Sequence, residues 1–158
     1  MKILETDSLN SEQKIIVCRL WNNEYPKALC YNSVDNFDAY LNILTNQRHH
    51  ILLDNDGQIK AWGFEFTRDL EKWFAIIVNI DVHLKGFGTI LLDSIKQNNT
   101  QLNGWVIDHE NDIKQNGDIY KSPLQFYIKN KFKMLADTRL DTDIIKAVKI
   151  TWTENAST

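Results

Sequence analysis

Cysteine is scarce in this chain: only Cys18 and Cys30 occur, so neither a disulfide framework nor a C-x-x-C redox or zinc pair can form, and both read as free thiols. Long apolar runs are missing as well. No segment approaches the roughly 20 apolar residues that cross a bilayer, and Lys2 near the start is followed by no apolar leader core. A cytoplasmic protein without membrane contact is therefore expected. Excess positive charge is also absent: 18 Lys and Arg against 21 Asp and Glu give a formal charge of −3, which supplies no electrostatic reason to expect nucleic acid. No repeat, Pro/Gly linker or low-complexity tract interrupts the 158 residues, so one domain is expected over 1–153, with a frayed tail at 154–158. The adjacent His49 and His50 would point to opposite faces of a strand, so no metal site is expected.

What is present is most informative between Trp73 and Lys96. Trp73 to Val82 is an apolar, partly β-branched run that suits a buried strand. His83-Leu84-Lys85-Gly86-Phe87-Gly88-Thr89 follows as a glycine-bearing loop, and Phe87, Ile90, Leu91 and Ile95 then recur at helical spacing. Glycines let the main chain turn tightly and approach a ligand, while a helix start offers unpaired N–H donors and a positive dipole end. An anion, first of all a phosphate, is the natural guest.

The flanking segments build a sheet around this unit. Lys2-Ile3-Leu4 reads as a short strand, Asn10 and Gln13 as a capping box, and Ile16, Val17, Leu20 and Trp21 as a helical face. Phe37, Tyr40, Leu41 and Leu44 predict a second helix, capped by Ser33 and ending near Asn46. Strands at 50–53 and 59–64 flank Asn55-Asp56-Gly57, a hairpin signal. A charged turn at 68–72 leads back into the strand that opens the glycine unit. Gly104-Trp105-Val106-Ile107 is a further strand, reached by a crossover. His109 to Lys121 is a polar loop of thirteen residues, functional or mobile by its length. Ser122, Pro123 and Gln125 predict a capped helix carrying Tyr127. A terminal hairpin would use Ile144, Val148, Ile150 and Trp152 on one face.

Two nucleotide readings of the glycine loop fail. A dinucleotide fold wants a third glycine where Leu91 stands, and no Gly-Lys-Ser/Thr occurs for a P-loop. His83-Leu84-Lys85-Gly86-Phe87-Gly88 instead resembles the Gln/Arg-x-x-Gly-x-Gly/Ala motif of the GNAT superfamily of N-acetyltransferases, with His83 at the Gln/Arg position. Tyr127-Ile128-Lys129-Asn130-Lys131-Phe132 resembles that family's Tyr-x-x-x-Gly-Phe segment. Lys131 replaces the glycine, leaving Asn130 to take the left-handed conformation at the helix end. Tyr120 stands where the family has Asn. The resemblance spans most of the chain.

It implies an α+β domain, an α/β/α sandwich with a mixed, mostly antiparallel sheet around a splayed parallel strand pair. It also implies transfer of an acetyl group from acetyl-CoA to a small-molecule or peptide amine, without a metal; a homodimer is compatible. The implied CoA residues are Ile76 and Val78 on the strand and His83, Leu84, Lys85, Gly86, Phe87, Gly88 and Thr89 in the loop. Tyr127 would protonate the departing thiolate, a role that suits a phenol loaded at neutral pH. His109 and Asp108 are the candidates for general base, with water as the alternative. Trp21, Glu24 and Tyr25 would contribute to the acceptor pocket, although aromatics there are more often core. A non-catalytic acyl-CoA-binding domain of the same fold is the second reading.

Overall fold

The computed structural model describes residues 1–154. Seven strands form one sheet: β1 (Lys2–Thr6), β2 (Thr45–Leu53), β3 (Ile59–Arg68), β4 (Glu71–Val78), β5 (Gln101–Val106), β6 (Lys133–Asp141) and β7 (Lys146–Thr153). Their order is β1-β2-β3-β4-β5-β7-β6, and every neighbouring pair is antiparallel except β4 and β5. Four helices cover it: α1 (Ser11–Glu24), α2 (Val34–Asn42), α3 (Phe87–Gln97) and α4 (Leu124–Lys129). The result is the expected α/β/α sandwich. No helix among the described residues is long and apolar enough to cross a membrane. Residues 155–158 of the expected tail lie outside the described residues. Glu154 still bonds to the sheet, its N–H donating to Thr100 O (2.9 Å).

Side-chain alternation explains the layers. On one face Ile51, Trp62, Phe64, Phe66, Trp73 and Ile77 meet Val17, Leu20 and Trp21 of α1 and Phe37 and Leu41 of α2. On the other, Phe74, Leu102, Val106 and Ile150 meet Leu92 and Ile95 of α3 and Tyr127 of α4. The helix starts follow local chemistry. Asn10 and Gln13 form a reciprocal capping box on α1, and Ser33 caps α2 by accepting from Asn36 N.

Several local expectations are corrected. The second helix ends at Asn42 rather than Asn46, because the chain must turn at once into β2. The apolar run from Trp73 stops being strand at Val78, since Asn79 Oδ1 accepts from Asp81 N and folds Ile80–Val82 into a 3₁₀ turn. Ser122 does not form the predicted capping box: its hydroxyl donates to Ile107 O (2.6 Å), and α4 begins at Leu124 behind Pro123. Asn130 does not take the left-handed conformation. Lys131 does, at φ 74°, while Asn130 Nδ2 donates to Phe126 O. Ile144 lies in the exposed turn before β7 rather than on its buried face.

His49 and His50 point to opposite faces of β2 and are fully buried. His50 lashes α3 to the sheet: its Nε2 meets Glu65 Oε2 (2.7 Å) and its Nδ1 meets Ser94 Oγ (2.9 Å), while Asn99 Nδ2 donates to the other Glu65 oxygen. His49 is neutral by geometry. Its Nδ1 accepts from Trp62 Nε1 (3.1 Å), so the proton sits on Nε2 and donates to Gln47 Oε1 (2.8 Å).

Burial first, then the adjacent His50, holds the His49 imidazole down to about 4. The unfolded chain would take up that proton near pH 6.5 and the folded chain only near pH 4. Stability contributed by neutral His49 is therefore full above pH 6.5 and falls as pH drops through that window. The pH dependence of urea unfolding should show a loss of roughly 3 kcal/mol from this group between those limits. The slope attributable to it should be missing in His49→Gln.

Candidate active site

Hydrogen-bond phase decides what β4 offers. Asn79 N–H donates to Lys60 O (2.9 Å), so odd-numbered residues of β4 bond to β3 and even-numbered ones turn their N–H and C=O groups toward β5. Lys72 conforms, its N–H donating to Gln101 Oε1 on β5 (3.2 Å). The β4–β5 ladder, however, consists of the single register pair Trp73↔Asn103 among the described residues. Beyond it the strands part. The N–H groups of Ile76 and Val78 face the opening with no strand to receive them, a costly arrangement for a half-buried backbone unless something else pairs there.

Both strand ends are held apart by alternative partners. His83 Nε2 donates to Val78 O (2.7 Å), and Ser122 Oγ takes Ile107 O at the end of β5. On one face the indoles of Trp73 and Trp105 lie against each other, with ring centroids 5.4 Å apart. On the other, Gly104 leaves room for the Phe74 ring, which would stand 3.0 Å from any Cβ at that position.

Past the opening, the loop into α3 is a bed of donors. The N–H groups of Leu84, Lys85, Gly86, Phe87, Gly88 and Thr89 make no hydrogen bond of good geometry among the described residues, and α3 has no side-chain cap. Leu84 (φ 63°) and Gly86 (φ 81°) are left-handed, which turns successive N–H groups outward. With the helix dipole, this arrangement suits a diphosphate. Gly88 serves a different purpose. The Phe126 ring of α4 would lie 3.1 Å from a Cβ there, so the glycine lets α4 close onto the first turn of α3.

That closure sets Tyr127. Its ring packs edge-on against Phe74 and Phe132, and Lys96 Nζ pins the end of α4 by donating to Asn130 O (2.6 Å). Burial, then the neighbouring Tyr25, pushes the Tyr127 phenol well above its ordinary range.

The remaining sequence candidates are placed as follows. Asp108 is bound in a two-point ion pair by Arg139, at 2.8 and 3.1 Å. The guanidinium holds its carboxyl below the usual range, which makes it a weak base. Arg139 reaches it from a β6 bulge between Leu135 and Arg139. His109 Nδ1 accepts from Asn111 N–H (3.1 Å), so the lone pair a base would use is engaged, and Nε2 lies 3.9 Å from Asp112 Oδ2. Trp21 is core, its Nε1 donating to Leu29 O (2.8 Å). Glu24 is taken up twice, accepting from Ile80 N–H (3.0 Å) and pairing with Lys114 (3.3 Å). Tyr25 packs edge-on against Trp21 and meets Tyr120.

Sequence reasoning missed Lys114 and Tyr120 as parts of this region. The thirteen-residue loop that carries them folds back on itself through the Ile113↔Ile119 bridge and joins the segment just after α1 through Pro26↔Lys114. Between Asn79–Asp81, Asn23–Glu24 and Lys114–Asn116 lies a polar cavity of about 320 Å³.

No protein-family model matches the chain, and no curated protein matches it in sequence. Solved structures do match. An aminoglycoside 6'-N-acetyltransferase complexed with coenzyme A superposes with a TM-score of 0.72 at 13% identity, over 97% of both chains. A GNAT superfamily phosphinothricin acetyltransferase from Sinorhizobium meliloti in complex with AcCoA gives 0.68 at 10%, over 97% of this chain and 89% of that one. A spermidine N-acetyltransferase variant from Vibrio cholerae gives 0.66 at 14%, over 97% and 95%. The chain has the fold of the GNAT superfamily acetyltransferases.

The Glu24–Lys114 pair can be tested for a structural role. Glu24→Ala would strand the Lys114 ammonium in a nearly closed setting and orphan Ile80 N–H. Urea unfolding should show a loss of roughly 3 kcal/mol. Adding Lys114→Met to the same chain should recover part of it.

Proposed function

We propose that the protein is an acetyl-CoA-dependent N-acetyltransferase acting on a primary amine by direct attack. One observation supports the reading above all: unpaired β4 donors and an uncapped α3 N-terminus lie beside one opening in the sheet, and the ring of Tyr127 packs on Phe74 of that same strand. Descriptions of similar folds with bound coenzyme A or AcCoA support it.

The N–H groups of Leu84 to Thr89 would bind the CoA diphosphate. Each charge-assisted bond contributes about 1.5–3 kcal/mol, against about 0.3–1 kcal/mol from the helix dipole, so the main chain dominates and Lys85 adds long-range attraction. Ile76 and Val78 would pair with the pantetheine arm as a missing strand does. An N–H there also stands ready for the oxyanion formed when the amine adds to the thioester carbonyl.

Collapse of that adduct forms the amide C–N bond and breaks the C–S bond. Tyr127 gives its proton to the departing thiolate and recovers one from solvent. Its raised pKa keeps the phenol loaded throughout the neutral range. Asp108 is held by Arg139 and the His109 lone pair is engaged, so water is the proton acceptor for the incoming amine. His83 acts through Val78, steadying the end of β4 rather than replacing the Gln/Arg contact. A cytoplasmic setting and a small-molecule or peptide amine acceptor complete the proposal.

Acetyl-CoA should raise the melting temperature, and CoA thiol should appear when the correct amine is supplied. Tyr127→Phe should keep the thermal shift and lose at least about 100-fold in kcat. Gly86→Val, strained at φ 81° with open space beyond it, should lose the thermal shift itself. Stabilisation without turnover on any amine would instead favour a non-catalytic acyl-CoA-binding domain, and unchanged turnover in Tyr127→Phe would remove the proposed acid.

A further inference from the structure

One group on the open edge of β4 is already taken. Even-numbered residues of β4 turn both N–H and C=O toward the β4–β5 opening, so Val78 O points into the gap. His83 Nε2 meets it there at 2.7 Å. A carbonyl oxygen only accepts, so Nε2 carries the proton and the strand end is capped by a donor from its own chain. The reach is short because the 3₁₀ turn at Ile80–Val82 folds the chain back, closed by His83 N–H donating to Ile80 O (3.2 Å). The imidazole thus stands at the end of the β4 edge, and the donor bed that starts with Leu84 begins at the very next residue.

The two carbonyls capped at this opening are held differently. At the end of β5, Ser122 Oγ donates to Ile107 O (2.6 Å) and accepts from Leu124 N–H (3.3 Å), so two bonds fix it at the start of α4. His83 is exposed, and its bond to Val78 O is the only one its ring makes among the described residues. The cap on the β5 side is built in, whereas the cap on the β4 side can swing away. An extended arm that leaves the donor bed and pairs with β4 as a strand does reaches Val78 first, and an amide N–H of that arm needs the carbonyl that His83 holds. Exchanging one neutral N–H to carbonyl bond for another costs little. Until that exchange, the bond steadies the end of β4 and shields an open strand edge from pairing with another chain.

We propose that His83 is a removable cap on the cofactor-binding edge: its Nε2–H holds Val78 O in the free protein and yields it to an amide N–H of the pantetheine arm. The inference rests on the acyl-CoA reading and adds a positioning role for His83 that concerns the arm and not the diphosphate. It also gives a reason why the arm pairs with β4 and not with β5, since only the β4 carbonyl can be uncovered.

The test is calorimetric titration of the full chain, parent and His83→Ala, with CoA and with 3′-phospho-ADP, the part of CoA that carries the diphosphate but no arm. Removing the cap should tighten CoA about 3- to 10-fold, the range of one neutral hydrogen bond, and leave 3′-phospho-ADP unchanged within about twofold. A crystal structure of the parent with CoA bound should show the ring turned away, with Nε2 beyond about 3.5 Å from Val78 O. A diphosphate contact from His83 would instead weaken both ligands together in His83→Ala, and a role in stiffening β4 alone would weaken CoA. Any result other than a gain confined to CoA overturns the proposal, as does a complex in which the contact between His83 and Val78 persists. Failure of the parent to bind either ligand would defeat the acyl-CoA reading and the cap with it, whereas binding of both without that gain would defeat the cap alone.

Discussion

The structure depends on a ladder that stops after one pair. β4 and β5 run parallel, share the Trp73↔Asn103 register and then separate. On either side the sheet is fully laddered, β4 to β3 over eight register pairs and β5 to β7 over six. The separation therefore does not follow from weak strands. It follows from competing partners at the ends: His83 takes Val78 O, Ser122 takes Ile107 O, and bulky rings occupy both faces of the seam. Unpaired donors in mid-sheet are the price of that arrangement, and they give the opening its chemistry.

Much of the architecture is written in local chemistry. The Asn10–Gln13 box, the Asn55-Asp56-Gly57 turn and the glycine unit before α3 each need only a few neighbouring residues, so the sequence displays them openly. The same holds for the resemblance carried by Gly86, Gly88 and Tyr127. What stays hidden depends on groups far apart along the chain. Glu24 reads as a free carboxylate until Lys114, 90 residues on, is seen beside it. Asp108 reads as a base until a bulge in β6 swings Arg139 over it. Ser122 carries the right spacing for a capping box, yet its hydroxyl is oriented by donating to Ile107 O, 15 residues back, and accepts from Leu124 N–H rather than from Gln125. Tyr120 sits in a polar loop with no periodicity to mark it.

The two glycines of the loop before α3 illustrate why a motif is not one requirement. Gly86 is needed for its backbone conformation, with empty space where a side chain would go, whereas Gly88 has ordinary dihedrals and is needed for room against Phe126. The first shapes the donor bed. The second sets how closely the helix bearing Tyr127 approaches it. One short run of residues thus fixes both the shape of the donor bed and how far the helix bearing Tyr127 stands from it.

The single β4–β5 register pair has a mechanical consequence. Seven strands with one such seam behave as two stiff leaves, four strands and three, joined at a hinge rather than as one continuous plate. Hydrogen-bond ladders resist bending within each leaf, but across the seam the resistance comes from two side-chain hydrogen bonds near its closed end, Lys72 N–H to Gln101 and Asn103 to Glu71, and beyond them from the packing of Trp73 on Trp105 and of Phe74, Tyr127 and Phe132, with Lys96 tethered to Asn130. Side-chain packing can yield by small rotations without the breaking of a ladder bond. Beyond the two hydrogen bonds at the closed end, the width of the cleft is therefore set by a handful of aromatic contacts, and several of these surround the same tyrosine on which the chemistry would turn.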